Sequence, residues 1–526
     1  MATPQEKLAT SLAALRQLQD RSGMVVRSDD LSRTLRQRLV DNGFLLEVMR
    51  GWYIATSPSD RPGDTTPWYA RYWDFVYRYL TDRFGEQWCL SPEASLALHA
   101  GDWTVPRQLL IRAPRGNNRP IALPHNTSIY DMRVALPKAG DIRVENGLRF
   151  YSAPAALVAA APAMFEQQPL NLRVVLAQQR DASELLAKLL EGGHSVVAGR
   201  LAGAFRNIGR ARIADDIVKT MTSAGYDVRE VDPFQSPLTL DLPRREVAPA
   251  ATRIRLLWHK LRDGVIGAFP EAPGRPNDAV AYLARVDDAF VTDAYHSLSI
   301  EGYRVSPELI ERVRSGNWNP DAIAKDREER DALAARGYWQ AFQEVKKSVE
   351  AVLGNENPGE VADHDHGTWY RELFGPSVVA GIIKPADLAG YRRDRVFIRN
   401  SMHMPLPPSA VPDAMAVFFE LLTSEEHAAV RVVLGHFIFV YIHPYMDGNG
   451  RMGRFLMNLM LAAGGYPWTV IPVERRNDYM AALERASVHG DIQPFSRFLG
   501  ELVDQGLNGA SLPAVPGTKC STRMAR

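Results

Sequence analysis

Residues 443–454, HPYMDGNGRMGR, gather a histidine, an aspartate, a glycine-rich bend and two arginines. Such a set suits phosphate chemistry. His443 is the nearby side chain whose ordinary pKa fits removal of a hydroxyl proton near neutrality. Asp447 supplies a hard oxygen for a cation such as Mg2+ that bridges phosphates. Gly448-Asn449-Gly450 can adopt positive φ angles that turn successive N–H groups into one concavity. Arg451 and Arg454, three apart on a helix, can hold different oxygens of one polyphosphate. The apolar run at 432–442 predicts a helix that stops at His443, because Pro444 disfavours helix at the residue before it. A second helix is predicted over 451–463, and its N-terminal N–H groups and dipole favour an anion.

Two competing readings of the bend fare worse. Counted as a calcium loop from Asp447, the fifth position is Arg451 and the twelfth is Asn458, where a carboxylate is required. Plain helix-to-helix punctuation needs neither the aspartate nor the arginines. No GxxxxGK(S/T) occurs elsewhere in the chain.

The stretch resembles the signature of the Fic (filamentation induced by cAMP) family, HPFx(D/E)GN(G/K)RxxR, with Tyr445 in place of phenylalanine. Residues 389–398 and Pro405-Leu406-Pro407-Pro408 look like the family's flap region, and Arg476-Asn477-Asp478-Tyr479 like its adenine-side segment. The likeness covers roughly residues 250–505 and implies a helical core with a β-hairpin flap. It also implies transfer of AMP from ATP to a Ser, Thr or Tyr hydroxyl of a target protein. By that resemblance His443 takes the proton, Asp447 holds Mg2+, and Gly448, Asn449, Gly450 and Arg451 cradle phosphates. Arg454 holds the γ phosphate, and Tyr479 lies beside the nucleotide. Alignment and charge neutralisation are what such a transfer chiefly asks of a protein.

Upstream, Ser297-Leu298-Ser299-Ile300-Glu301-Gly302 is similar to the family's inhibitory pattern Ser/Thr-x-x-x-Glu-Gly/Asn. The resemblance implies that Glu301 pairs with Arg454 and so denies it to the nucleotide. Taken alone, a glycine after a helix is also an ordinary C-cap. In the flap region, residues 395–399 read as a strand, Asn400-Ser401 as a turn and 402–404 as a return, an exposed edge that can pair with an extended target.

With 526 residues, 46% hydrophobic and 23% charged, the chain has a globular composition and room for about three domains. Cys89 and Cys520 are too few for a disulfide framework, which points to a reducing, cytoplasmic setting. The polar N-terminus lacks a signal-peptide core, and the 432–442 run is too short to span a bilayer. A net charge of +1 argues against wholesale binding to nucleic acid or anionic membrane.

The first 58 residues read as a winged helix: helices over 5–19 and 32–42, then a hairpin over 44–55 turning at Arg50-Gly51. Arg33, Arg36 and Arg38 on the second helix, with Arg50 on the wing, are candidates for contacting DNA. From Arg27 to Arg50 five arginines meet four acids, Asp29, Asp30, Asp41 and Glu47, so the local excess is only +1. Residues 59–240 read as a mixed α+β region, with helices at 68–83 and 92–99, strands at 108–112, 132–136 and 142–151, and an Asn146-Gly147 turn. With the winged-helix outline, Leu90-Ser91-Pro92-Glu93-Ala94-Ser95 and the 147–154 stretch resemble AbiEi-type antitoxin regulators. Pro237, Pro243 and Pro249 mark a linker, 241–507 is the Fic-like part, and 508–526 reads as a disordered tail.

The expectation is thus a mainly α protein adenylyltransferase, autoinhibited by Glu301, with a DNA-binding regulatory module and no membrane partner. A homo-oligomer is left open. The alternatives are AMP removal with Glu301 orienting a water, and a DNA-binding regulator whose Fic-like half senses nucleotide.

Overall fold

The computed structural model describes residues 3–58, 64–238, 248–316 and 330–516. Two compact units emerge: Met1–Arg253 with Phe397–Met404, and Ile254–Val396 with Pro405–Arg526. Helix dominates, as expected. The boundary expected at 58/59 abuts residues 59–63 and that at 240/241 falls within 239–247; both stretches, the second with Pro243, lie outside the described residues.

In the first unit, helix Pro4–Ser22 begins in a capping box, Thr3 accepting from Glu6 N and Glu6 from Thr3 N. Helix Arg33–Asp41 is capped by Ser32. Strand Trp52–Ala55 lies between Val25–Arg27 and Leu45–Met49, antiparallel to both, and the hairpin turns at Arg50-Gly51 where Gly51 has φ 81°. Leu15, Val26, Leu39, Leu45 and Tyr53 close the small core beneath. Helix Thr66–Phe84 places Trp68, Tyr72, Phe75 and Tyr79 at three- and four-residue spacing on a buried aromatic face. A mixed four-stranded sheet follows, in the order Cys89–Leu90, Gln108–Arg112, Thr127–Met132, Pro120–Leu123.

The strand expected at 132–136 instead occupies Thr127–Met132. Its parallel partner ends with Arg112 opposite Met132, so residues beyond Met132 have no ladder to join. The hairpin Ile142–Glu145 with Leu148–Tyr151 turns where expected, Asn146 and Gly147 both having positive φ. From Ala153 to Ser223 the unit is helical.

Phe397–Met404 belongs to this first unit although the chain on either side belongs to the second. Met404 is in the aromatic core, and Phe397 and Met402 pack against it. Val105 N donates to Met402 O at 3.0 Å, Asn400 N to Thr66 Oγ1 at 3.0 Å, and Thr65 N to Asn400 Oδ1 at 3.1 Å. Arg399 pairs with Asp64 at 3.0 Å. The expected exposed hairpin is therefore corrected. Asn400 does turn, at φ 57°, with Ser401 N reaching Ile398 O at 3.2 Å, but neither arm is a strand, and Met402 O and Asn400 N find their partners in Val105 and Thr66.

The second unit has no strand among its described residues. Helices Arg330–Leu353 and Pro358–Val379 pack side by side against a buried pair, Ala428–Ile442 and Asn449–Gly464. That pair is apolar nearly all round, the pattern of a helix enclosed by others. Of the tail expected to be disordered from Asn508, the described part carries Val515, only 7% exposed. Residues 517–526, Cys520 included, lie outside the described residues. No described helix is long and apolar enough to cross a membrane.

Candidate active site

Helix Ala428–Ile442 ends where Pro444 requires, and His443 takes the left-handed conformation at φ 55°, its N–H still reaching Phe439 O at 3.0 Å. The ring Nδ1 lies 3.1 Å from Val440 O. A carbonyl only accepts, so Nδ1 carries the hydrogen and Nε2 keeps a lone pair. Desolvation pushes the His443 pKa down to about 4; the bond to Val440 opposes that shift and the charge of Arg392 adds to it. The imidazole is neutral at pH 7, the form that can accept a proton.

The bend after it is braced from within. Asn449 Oδ1 accepts from Tyr445 N at 2.9 Å while its Nδ2 donates to Tyr445 O at 2.8 Å. The Asn449 side chain is thus committed to the turn, which leaves its main chain at the helix start to serve an anion. The Tyr445 ring lies flat on Tyr370, centroids 3.7 Å apart, a stack that phenylalanine would also make. Gly448 has φ 77°, and a Cβ there would sit 2.7 Å from the Phe374 ring, so glycine is required twice over.

Asp447 is exposed, with Oδ1 accepting from Gly448 N at 2.7 Å and Oδ2 3.5 Å from Arg451 Nη2. A single outward carboxylate fits a cation held chiefly by phosphates and water. No cluster of three or more metal-ligating side chains exists among the described residues. The Arg451 guanidinium lies between the rings of Tyr303 and Phe374, 5.2 and 5.0 Å from their centroids. Its positive charge faces the electron-rich ring surfaces, and no local sequence signal marked either aromatic as its partner. A cavity opens beside Asp447 and Arg451, walled by Tyr370, Phe374, Tyr391 and Arg393.

Arg454 is buried at 3% exposure, and helix Ala279–Ile300 holds it. Its Nε donates to Ser297 Oγ at 2.8 Å, and its Nη2 to Ser297 O at 3.0 Å and Glu301 Oε1 at 2.7 Å. Ser297 and Glu301 are one helical turn apart, which puts both on the face toward Arg454. Burial works against the Glu301 charge, yet Arg454 and then Arg451 hold its pKa below the usual carboxylate value. A Cβ built on Gly450 would lie 2.4 Å from Glu301 Oε1. A carboxylate thus rests on the first turn of helix Asn449–Gly464, where unpaired N–H groups favour negative charge. One turn before Ser297, Asp293 accepts from the Tyr338 hydroxyl at 2.7 Å and is pushed up to about 6 by burial. No motif in the sequence marks it.

Tyr479 is 1% exposed, and its hydroxyl meets His436 Nε2 at 2.7 Å. It stands in the core behind Arg454 and is no open wall for a base, which corrects its expected place. Of the candidate DNA contacts, Arg36 donates to Ser28 O and covers the Tyr53 ring, while Arg38 donates to Lys7 O and Ser11 Oγ at 2.8 Å. Those two brace the small core, and Arg33 and Arg50 are exposed.

Residues 369–461 match the Fic/DOC family. The chain is 36% identical over 237 residues to a protein adenylyltransferase Fic of Drosophila grimshawi, covering 44% of this chain and 45% of that protein. It is 37% identical over 237 residues to one from Nematostella vectensis, covering 44% and 51%. The chain thus spans about half the length of these curated relatives. Among solved structures, Fic-1 from C. elegans aligns with a TM-score of 0.37 at 17% identity, covering 64% of this chain and 86% of that one. The turn that carries His443, Asp447 and Arg454 lies inside the matched stretch, and the chain carries a Fic domain at residues 369–461.

Proposed function

We propose that the protein is an adenylyltransferase that moves AMP from ATP to a Ser, Thr or Tyr hydroxyl of a target protein, restrained by Glu301. The curated relatives bearing that activity in their names support the transfer. The observation that carries the restraint is the Glu301 carboxylate seated against Gly450 and bonded to Arg454. An anion already occupies the place where a phosphate would meet the helix N-terminus and that arginine.

The target hydroxyl gives its proton to His443 Nε2 as its oxygen bonds to the α phosphorus and the bond to the pyrophosphate oxygen breaks. Asp447 would hold Mg2+, which neutralises charge on the phosphates. The main-chain N–H groups of Asn449 and Gly450 receive anionic oxygens, and Arg454, once free of Glu301, orients the terminal phosphate. The Glu301–Arg454 pairing favours restrained transfer over a reading in which Glu301 prepares a water to remove AMP.

Replacing Glu301 by glycine and supplying α-labelled ATP with Mg2+ and cell lysate should raise protein labelling by about 100-fold. Equal labelling with and without the substitution, at matched ATP binding, would refute the restraint. Release of AMP from premodified protein, with no transfer, would favour removal. A DNA-binding role for the first unit rests on Arg33 and Arg50, and DNA retention unchanged by replacing both with alanine would dismiss it.

A further inference from the structure

Arg392 is 4% exposed, and burial pulls its pKa down to about 10. Among the described residues no carboxylate is paired with it. Its guanidinium instead faces main-chain oxygens from three places. Nε donates to His443 O at 2.7 Å and Nη2 reaches Ile442 O at 3.5 Å; Nη2 also donates to Leu406 O, and Nη1 to Asp394 O at 3.1 Å. Its own N–H donates to Pro444 O at 2.9 Å. One residue therefore ties the turn that carries the base to residues 391–394 and 406. Its neighbours Tyr391, Arg393 and Asp394 line the cavity beside Asp447 and Arg451.

His443 needs such a tie, since a non-glycine residue in the left-handed region costs about 1–2 kcal/mol and persists only where its surroundings fix it. A planar fork with several fixed donors suits acceptors spread over three chain segments, and a single ammonium cannot reproduce it. We infer that Arg392 is a positioning residue of the transfer reaction, fixing the base turn against the cavity wall that receives the target hydroxyl. The inference rests on the adenylyltransferase reading and on the cavity as the place where the target enters.

The test compares full-length Glu301→Gly protein with the same protein also carrying Arg392→Gln or Arg392→Lys. ATP affinity should hold, while the transfer rate at saturating ATP falls by about 100-fold with glutamine, the cost of a misplacement near 1 Å, and less with lysine. Hydrogen exchange should quicken together at 391–394 and 440–446 and stay unchanged at 411–424. An undiminished transfer rate in the glutamine form, at equal ATP affinity, overturns the inference. So does an unchanged exchange pattern in the lysine form, which decides the matter if the glutamine form fails to fold. If the Glu301→Gly protein itself transfers no AMP, the adenylyltransferase reading fails, and the exchange arm still judges the tie.

Discussion

Residues 443–454 and Phe397–Met404 differ in where their bonds go. The bend of the catalytic turn is braced by bonds within it, Asn449 bracketing Tyr445 four positions away and His443 holding Val440 three positions away, while Arg392 ties its entry from outside. Asn400, by contrast, bonds to Thr65 and Thr66, 335 and 334 positions upstream. A stretch of the first kind carries most of its geometry in its own residue types. One of the second kind has no preferred shape until distant chain arrives, because its main-chain groups must find partners somewhere.

Substitutions can break that contrast or sharpen it. The largest effect belongs to the turn: in the Glu301→Gly protein, His443→Ala should cut AMP transfer by about 1,000-fold. Exchange at 397–404 should not change, and a coupled change there would show the two stretches to be one unit. The low pKa of His443 means that its neutral form persists as pH falls, and is lost only near pH 4. Single-turnover transfer by the Glu301→Gly protein should therefore lack an inflection near 6.5; an inflection there would place the imidazole in a more hydrated setting.

Gly448→Ala sets a Cβ against Phe374 at positive φ and should lower stability by about 1–3 kcal/mol in urea titrations. The smallest change is Thr66→Ala, which removes one acceptor from Asn400 and should cost about 1 kcal/mol, read as faster exchange confined to 397–404. Faster exchange at 443–454 as well would erase the distinction.

The same contrast governs what the sequence discloses. Pro444, Gly448 and the apolar runs on either side mark helix, stop, bend and helix by local rules, and His443, Asp447 and Arg454 follow from them. Glu301 is visible only through a family pattern, since nothing near it in sequence says that its carboxylate lies on Gly450. Tyr479 misleads because side-chain type says what a residue can bond, while burial decides which bond it makes. Arg392 forms no ion pair among the described residues that would betray its role, even with Asp394 two positions on, because its partners are main-chain oxygens.

One consequence concerns anyone who would divide the molecule. The polypeptide passes between its halves at Arg253/Ile254, Val396/Phe397 and Met404/Pro405, so a single cut near residue 253 leaves two covalent crossings behind. A fragment beginning there would carry Phe397, Met402 and Met404 away from the aromatic residues that cover them. Its three bared apolar side chains would invite aggregation, and supplying the missing half in trans is the natural remedy.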